Sequence, residues 1–231
     1  MSGRAGGSDA PTPGPTVVLD GVEVGEEFRA DERLVRTGAL AIRVVRLRGR
    51  AVSIGAGMRL DVPSLDRVRG AGLPIVRRSS GGTAVLHEDG DLAWSVVLPR
   101  AHPLVGRDFV RAYARIGAGV VRWLAESGVS ADWVPAPGVA RDFCVLSARG
   151  EVLRAGGRIL GGAAQHLTAG ALLHQGMVTR TVDREAITAF FDVARPDADR
   201  RLTSLTELGV PTTSGDARRL ADAIEAAVRP V

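Results

Sequence analysis

The chain has 231 residues, 45% of them hydrophobic, a formal charge of +4 and a pI of about 10.6. That length and apolar content suit one domain with its own core. No run of about 18 apolar residues suggests a membrane helix, and the single cysteine, Cys144, excludes an internal disulfide.

All thirty basic side chains are arginine. A GC-rich coding bias would explain this without a functional cause, but the chemical consequence is the same. No side-chain amine can act as a base, form a Schiff base or accept an acyl group. Arginine stays protonated and presents a planar fork, so it is no substitute. A mildly basic surface favours acidic partners. Nucleic acid is not expected: one Tyr and five Phe occur, and no basic run interleaves aromatics.

In chain order, residues 1–15 (MSGRAGGSDAPTPGP) read as a disordered tail, rich in Gly, Ser, Pro and Ala. They lack the apolar core of a secretory signal, which predicts a cytoplasmic protein. Residues 26–38 read as a helix ending at a glycine. AIRVVRL (41–47) and AVSIG (51–55) read as strands, and 60–72 as a short helix starting near Ser64, after Pro63. LPIVRR leads into TAVLH (83–87) and DLAWSVVLP (91–99), two strands joined by a polar turn. Residues 106–127 form the clearest helix, with Phe109, Tyr113, Ile116, Val120 and Leu124 on one face. Residues 130–142 read as a loop. FCVLS, EVLRA, RILGGAAQ and ALLHQGMV follow as four short apolar segments. Helices at about 183–191 and 214–228 finish the chain. This order predicts an α+β fold with a largely antiparallel or mixed sheet.

Three features could carry chemistry. SSGG at 79–82 could bring backbone N–H groups close to an anion beside Arg77 and Arg78, or be an ordinary glycine turn. His87 could be a base or a buried structural histidine. GGRILGG (156–162) has glycines at spacings loosely like a dinucleotide fingerprint, but no long helix pattern follows it.

Taken together, RRSSGGTAVLHEDGDLAWS (77–95) resembles the signature of the lipoate–protein ligase and octanoyltransferase family, Arg-Arg-x-Ser-Gly-Gly-Gly-Ala-Val-x-His-Asp-x-Gly-Asn-Leu-x-x-Ser. Arg77, Arg78, Ser80, Gly81, Gly82, Ala84, Val85, His87, Gly90, Leu92 and Ser95 match, while Thr83, Glu88 and Asp91 depart. Downstream, GGRILGGAAQHLTAGALLHQG resembles the second signature, Gly-Lys-Lys-Ile-x-Gly-Ser-Ala-Gln with a His-Gly pair beyond it. LTSLTELG (202–209) resembles the segment that follows.

The resemblance implies the fold of the class II biotin/lipoyl ligase catalytic domain, a central mixed or antiparallel sheet flanked by helices. Residues 16–231 would form one such domain, without the accessory C-terminal domain of larger ligases. It implies a lipoyl or octanoyl group as substrate, with ATP and Mg if the protein is a ligase, and no bound metal otherwise. An acidic lipoyl carrier domain or acyl carrier protein would be the partner, and a separate partner chain could complete the site. The ligand would lie against Arg77, Arg78, Ser80, Gly81, Gly82, Ala84 and His87, and against Gly162, Ala163, Ala164 and Gln165.

The family's lysine is missing. Counting back from Gln165 without a gap puts Ile159 at its position, with Arg158 one residue earlier as a candidate surrogate. A one-residue slip would bring Arg158 into place but would reverse its face in a strand. The second-motif histidine is displaced too, with Gln175 before Gly176 and His174 one earlier. One branch of the family uses a cysteine nucleophile about fifteen residues before the lysine, and Cys144 stands fifteen residues before Ile159. Cys144 is therefore a candidate nucleophile, or else a small buried hydrophobe. Two readings stay open: an acyl-transfer enzyme with an altered site, and a binding protein that has lost turnover.

Overall fold

The computed structural model describes residues 14–106, 110–136, 150–211, 213 and 215–229. Most of the expected tail, the first residues of the helix expected from 106, the segment FCVLS and Cys144 lie outside the described residues.

Two sheets face each other. The larger is built from β1 (Thr16–Glu23), β2 (Ala41–Arg48), β6 (Leu92–Pro99), β7 (Ala131–Ala136), β8 (Gly150–Ala155), β9 (Arg158–Leu167) and β10 (Ala171–Val178). Its spatial order is β1-β2-β6-β10-β9-β8-β7; the β1–β2 pair is parallel and every other pair antiparallel. The smaller sheet runs β4 (Ile75–Arg77), β3 (Ala51–Ile54), β5 (Val85–His87), with β3 parallel to β4 and antiparallel to β5. Six described helices complete the chain: α1 (Val24–Thr37), α2 (Val62–Gly70), α3 (Val110–Glu126), α4 (Arg184–Phe190), α5 (Arg195–Arg201) and α6 (Asp216–Val228). The α+β fold with a mixed central sheet and flanking helices is the one expected.

Strand alternation gives the large sheet two buried faces. On the back, Ile42, Val44, Trp94, Val96, Leu153, Leu160 and Leu172 pack under α3 and α6. These two helices cross closely, since a Cβ at Gly119 would meet the Ala223 carbonyl oxygen at 2.8 Å. The front face is covered by α1, the small sheet and the helices after β10. Its β2, β6 and β10 residues form three rows. Ala41, Val97 and Leu173 are one, Val45, Ala93 and Met177 another, and both are apolar. Between them lies a polar row, Arg43–Ser95–Gln175, fixed by the register Arg43↔Ser95 and Gln175↔Ser95.

Expected and observed elements differ in three places. Part of the loop expected at 130–142 is strand β7, which pairs with β8. β7 is at the sheet edge, a place where a strand tolerates a proline such as Pro135. β1 was not expected; it is a half-exposed edge strand with a register shift between Asp20 and Val22, so its alternation is weak. Helix α5, ARPDADRR with its capping Ala194, buries a single side chain, Ala198, and so shows no periodicity. The GGRILGG stretch is a β-hairpin rather than a nucleotide turn: Gly156 and Gly157, with φ of 55° and 75°, join β8 to β9.

Candidate functional site

A cavity of about 130 Å3 lies between the front face and the small sheet. Its floor is β9 and β10 from Gly161 to Ala164 and from Gln175 to Met177. Ser53, Val85, Leu86 and His87 of the small sheet form the opposite wall, and α1 closes one end with Val24, Glu27, Phe28 and Asp31. Ile159, Leu202, Thr203, Val182 and Asp183 line the other end.

The glycine loop 78–83 is bent against β3. Arg78 N–H donates to the Ile54 carbonyl at 3.0 Å, and Ala56 N–H to the Ser80 carbonyl at 2.9 Å. A Cβ at Gly55 would meet the Gly82 carbonyl oxygen at 2.2 Å, and Gly82 itself has φ of 93°. Both glycines are therefore required by the approach of the two segments. The buried Arg78 guanidinium threads the loop: it donates to Ser53 Oγ at 2.8 Å, to the Gly81 carbonyl at 3.0 Å and to the Thr83 carbonyl at 2.7 Å. Its fork holds the loop in shape in a way a point ammonium would not.

Ser53 Oγ also meets His87 Nε2 at 2.8 Å. Burial, and next the Arg78 charge, push the His87 pKa down to about 3, so this imidazole is neutral at physiological pH.

Strand β9 carries the second motif. Leu153 pairs with Gly161 while Arg154 pairs with Ile159, so Leu160 is the extra residue of a β-bulge. Residues on either side of Leu160 therefore do not follow one simple alternation. Ile159 lines the cavity. Arg158 is outside the lining and half-exposed at the rim, 3.3 Å from Glu207, which also accepts from Arg184.

The polar row under α1 was not expected from sequence. Arg43 donates to Glu27 Oε2 at 2.6 Å. Asp31, one helical turn on, accepts from Ser95 Oγ at 2.5 Å and from Gln175 Nε2 at 2.6 Å. Glu27 and Asp31 are almost fully buried. Burial, then the Glu27 charge, raise the Asp31 pKa to about 7. In sequence, EEFRADER looks like the charged outer face of a helix, and only a tertiary partner such as Arg43 could mark two of its acids as internal.

Of the expected ligand residues, Arg78, Gly82, His87, Gly162, Ala163 and Ala164 line the cavity. Gly81 contributes a carbonyl to Arg78, and Ala84 packs in the core behind. Arg77 points away, donating to the carbonyls of Gly55, Ala56 and Met58 at 2.8–3.1 Å. Ser80 is buried and outside the lining. Gln165 bonds His174 Nδ1 at 3.0 Å, and that histidine stacks edge-on against Tyr113 of α3, behind the sheet. Ser53, Glu27 and Asp31 are lining residues that the motifs did not indicate, while Gln175 and Leu202, which fall within them, line the cavity too. No group of three or more potential metal ligands occurs among the described residues.

Residues 26–224 match the lipoyl protein ligase A/B catalytic domain. An octanoyltransferase LipM of Exiguobacterium sp. is 31% identical over 171 residues, covering 69% of this chain and 61% of that protein. The chain therefore spans under two thirds of that relative. Among solved structures, lipoate-protein ligase A bound with ATP superposes with a TM-score of 0.72 at 22% identity, over 94% of this chain and 85% of the other. A bi-partite lipoate protein ligase from Thermoplasma acidophilum, solved with its E2 lipoyl domain, gives 0.71 at 22% identity, over 93% and 83%. At that identity these two matches establish the shared fold.

Proposed function

Because the chain belongs to the lipoyl protein ligase A/B catalytic-domain family, we propose that it handles octanoyl or lipoyl groups for transfer to lipoyl carrier domains, the reaction of protein lipoylation. One observation carries this reading: an apolar slot floored by Gly161, Gly162, Ala163 and Ala164, closed by α1 and roofed by the Arg78–Thr83 loop. Small floor residues leave the width of one alkyl chain, and burying that chain supplies about 0.8 kcal/mol per methylene. Residues 16–231 act as one catalytic-type domain in the cytoplasm. No described helix is long and apolar enough to cross a membrane.

In the transferase form, the Cys144 thiolate attacks the thioester carbonyl of octanoyl-acyl carrier protein and expels the carrier's thiol. A lysine amine of the lipoyl domain then attacks the new thioester, losing a proton and releasing Cys144. Similarity to an octanoyltransferase supports this route. The fold shared with an ATP-bound ligase supports a ligase form as the competitor, in which ATP with Mg first activates free lipoate. The likeness to a ligase solved with its E2 lipoyl domain supports a lipoyl domain as acceptor, and its two-part build supports a partner chain. Intact-mass spectrometry after incubation with octanoyl-acyl carrier protein is the test. An octanoyl adduct on the wild type, absent from Cys144→Ala and discharged by a lipoyl domain, is expected. No adduct, or one that survives the substitution, overturns the cysteine route. Lipoate-dependent exchange of pyrophosphate into ATP would favour the ligase.

A second reading is favoured by Ile159, an alkyl side chain lining the slot in a protein with no lysine. Removing a preorganised charge from such a site costs on the order of 10²–10³ in rate. The protein would then bind acyl groups without turnover. Calorimetric binding of octanoate with no transfer in the mass assay supports it.

A further inference from the structure

The closed end of the slot differs from its walls. Gln175 is the cross-strand neighbour of Ala164, five residues along β9 from Ile159. At about 3.3 Å per residue, shortened by the bulge, the two lie roughly 13–16 Å apart, room for an extended eight-carbon chain. A chain whose carboxyl end sits by Ile159 and the half-exposed Asp183 therefore brings its far end to Gln175, Asp31 and Glu27. Asp31 holds the Gln175 amide by its Nε2, at 2.6 Å. That leaves Gln175 Oε1 as a buried acceptor with no partner among the described residues, on a side chain that lines the slot. An unpaired buried acceptor is a cost that a ligand donor can remove and an alkyl end cannot. Sites built to bond a substrate donor reject the analogue that lacks it more strongly than apolar pockets reject a missing methylene.

We propose that Gln175, oriented by Asp31, selects acyl chains bearing a hydrogen-bond donor, a hydroxyl or thiol, at the end remote from the carboxyl. This rests on the acyl-handling reading above. Gln175 is a specificity residue here, and Asp31 positions it.

Titration calorimetry of the whole chain with octanoate and with 8-hydroxyoctanoate tests it. The hydroxy acid should bind about five- to tenfold more tightly, the gain of one hydrogen bond. In Gln175→Leu the order should reverse. Octanoate binding as tightly as the hydroxy acid, or a preference that survives Gln175→Leu, overturns the inference and leaves the acyl reading standing. Binding of neither acid overturns both. Should Gln175→Leu not fold, the wild-type pair of affinities decides alone.

Discussion

Gly55 shows how one atom can matter to this site. Its φ is not positive, so an alanine would meet no backbone strain; it would meet the Gly82 carbonyl oxygen 2.2 Å away. The loop, rather than the core, must then move. Gly55→Ala should lower acyl transfer or binding by roughly 10²-fold, the scale of an ångström's misplacement. It should change the unfolding free energy in urea by about 1 kcal/mol. Equal losses in both would mean that the glycine serves the core. Arg78→Lys tests the same loop from inside. One ammonium cannot satisfy Ser53 Oγ and two carbonyls in the geometry of the fork, so a loss of about 2 kcal/mol is expected in the same assay. Asp31 adds a pH signature. Its pKa is raised, so the folded protein holds this proton where the unfolded chain has lost it. The contribution therefore weakens as pH climbs from about 4 to about 7 and is level above that. His87 and His174, both pushed down to about 3 by burial, act with the opposite sign up to about pH 6.5 and mask it in the wild type. The stability of Asp31→Asn relative to wild type should rise across pH 4–7; a flat difference would mean Asp31 is ionised throughout.

At the scale of elements, α1 is tied down at its centre by ions. Glu27 and Asp31 face one arginine, Arg43, across the front of the sheet. Removing one partner of a buried ionic group leaves uncompensated charge, at about 3–5 kcal/mol. Arg43→Met should cost that much, and the loss should appear first as faster amide exchange in α1, ahead of β2 and β6. By contrast, Arg158→Ala removes a rim pair in which both side chains are about one-third exposed. Less than about 1 kcal/mol is expected there.

Across the whole molecule, the parts legible in the sequence were those written locally. The period of α3, the alternation of β2 and the glycines of the 78–83 loop each report a neighbourhood of a few residues, and the fold class followed from their order. The parts that were not legible depend on distant partners. Leu160 becomes a bulge only against β8, so the place of Ile159 and Arg158 relative to the cavity could not be read from spacing. Gln165 matched the second motif in register yet faces α3, because the alternation of β9 sends it to the back of the sheet. The acids of α1 look solvent-facing until Arg43, Ser95 and Gln175 are brought beneath them.

The floor of the slot has a last consequence, for how this protein can change. From Gly161 to Ala164, and at Gly176, no side chain exceeds a methyl group; behind the floor, a Cβ at Gly176 would strike the Trp94 ring of the back core at 2.2 Å. A ligand lies there against peptide groups, which mutation cannot trim. Substitutions at Gly162 and Ala164, which face the slot, can only shorten or narrow it. Any evolutionary drift toward longer or bulkier acyl groups must come from the ends and the opposite wall, where Ile159, the α1 side chains, Val85 and Leu86 still have atoms to give up.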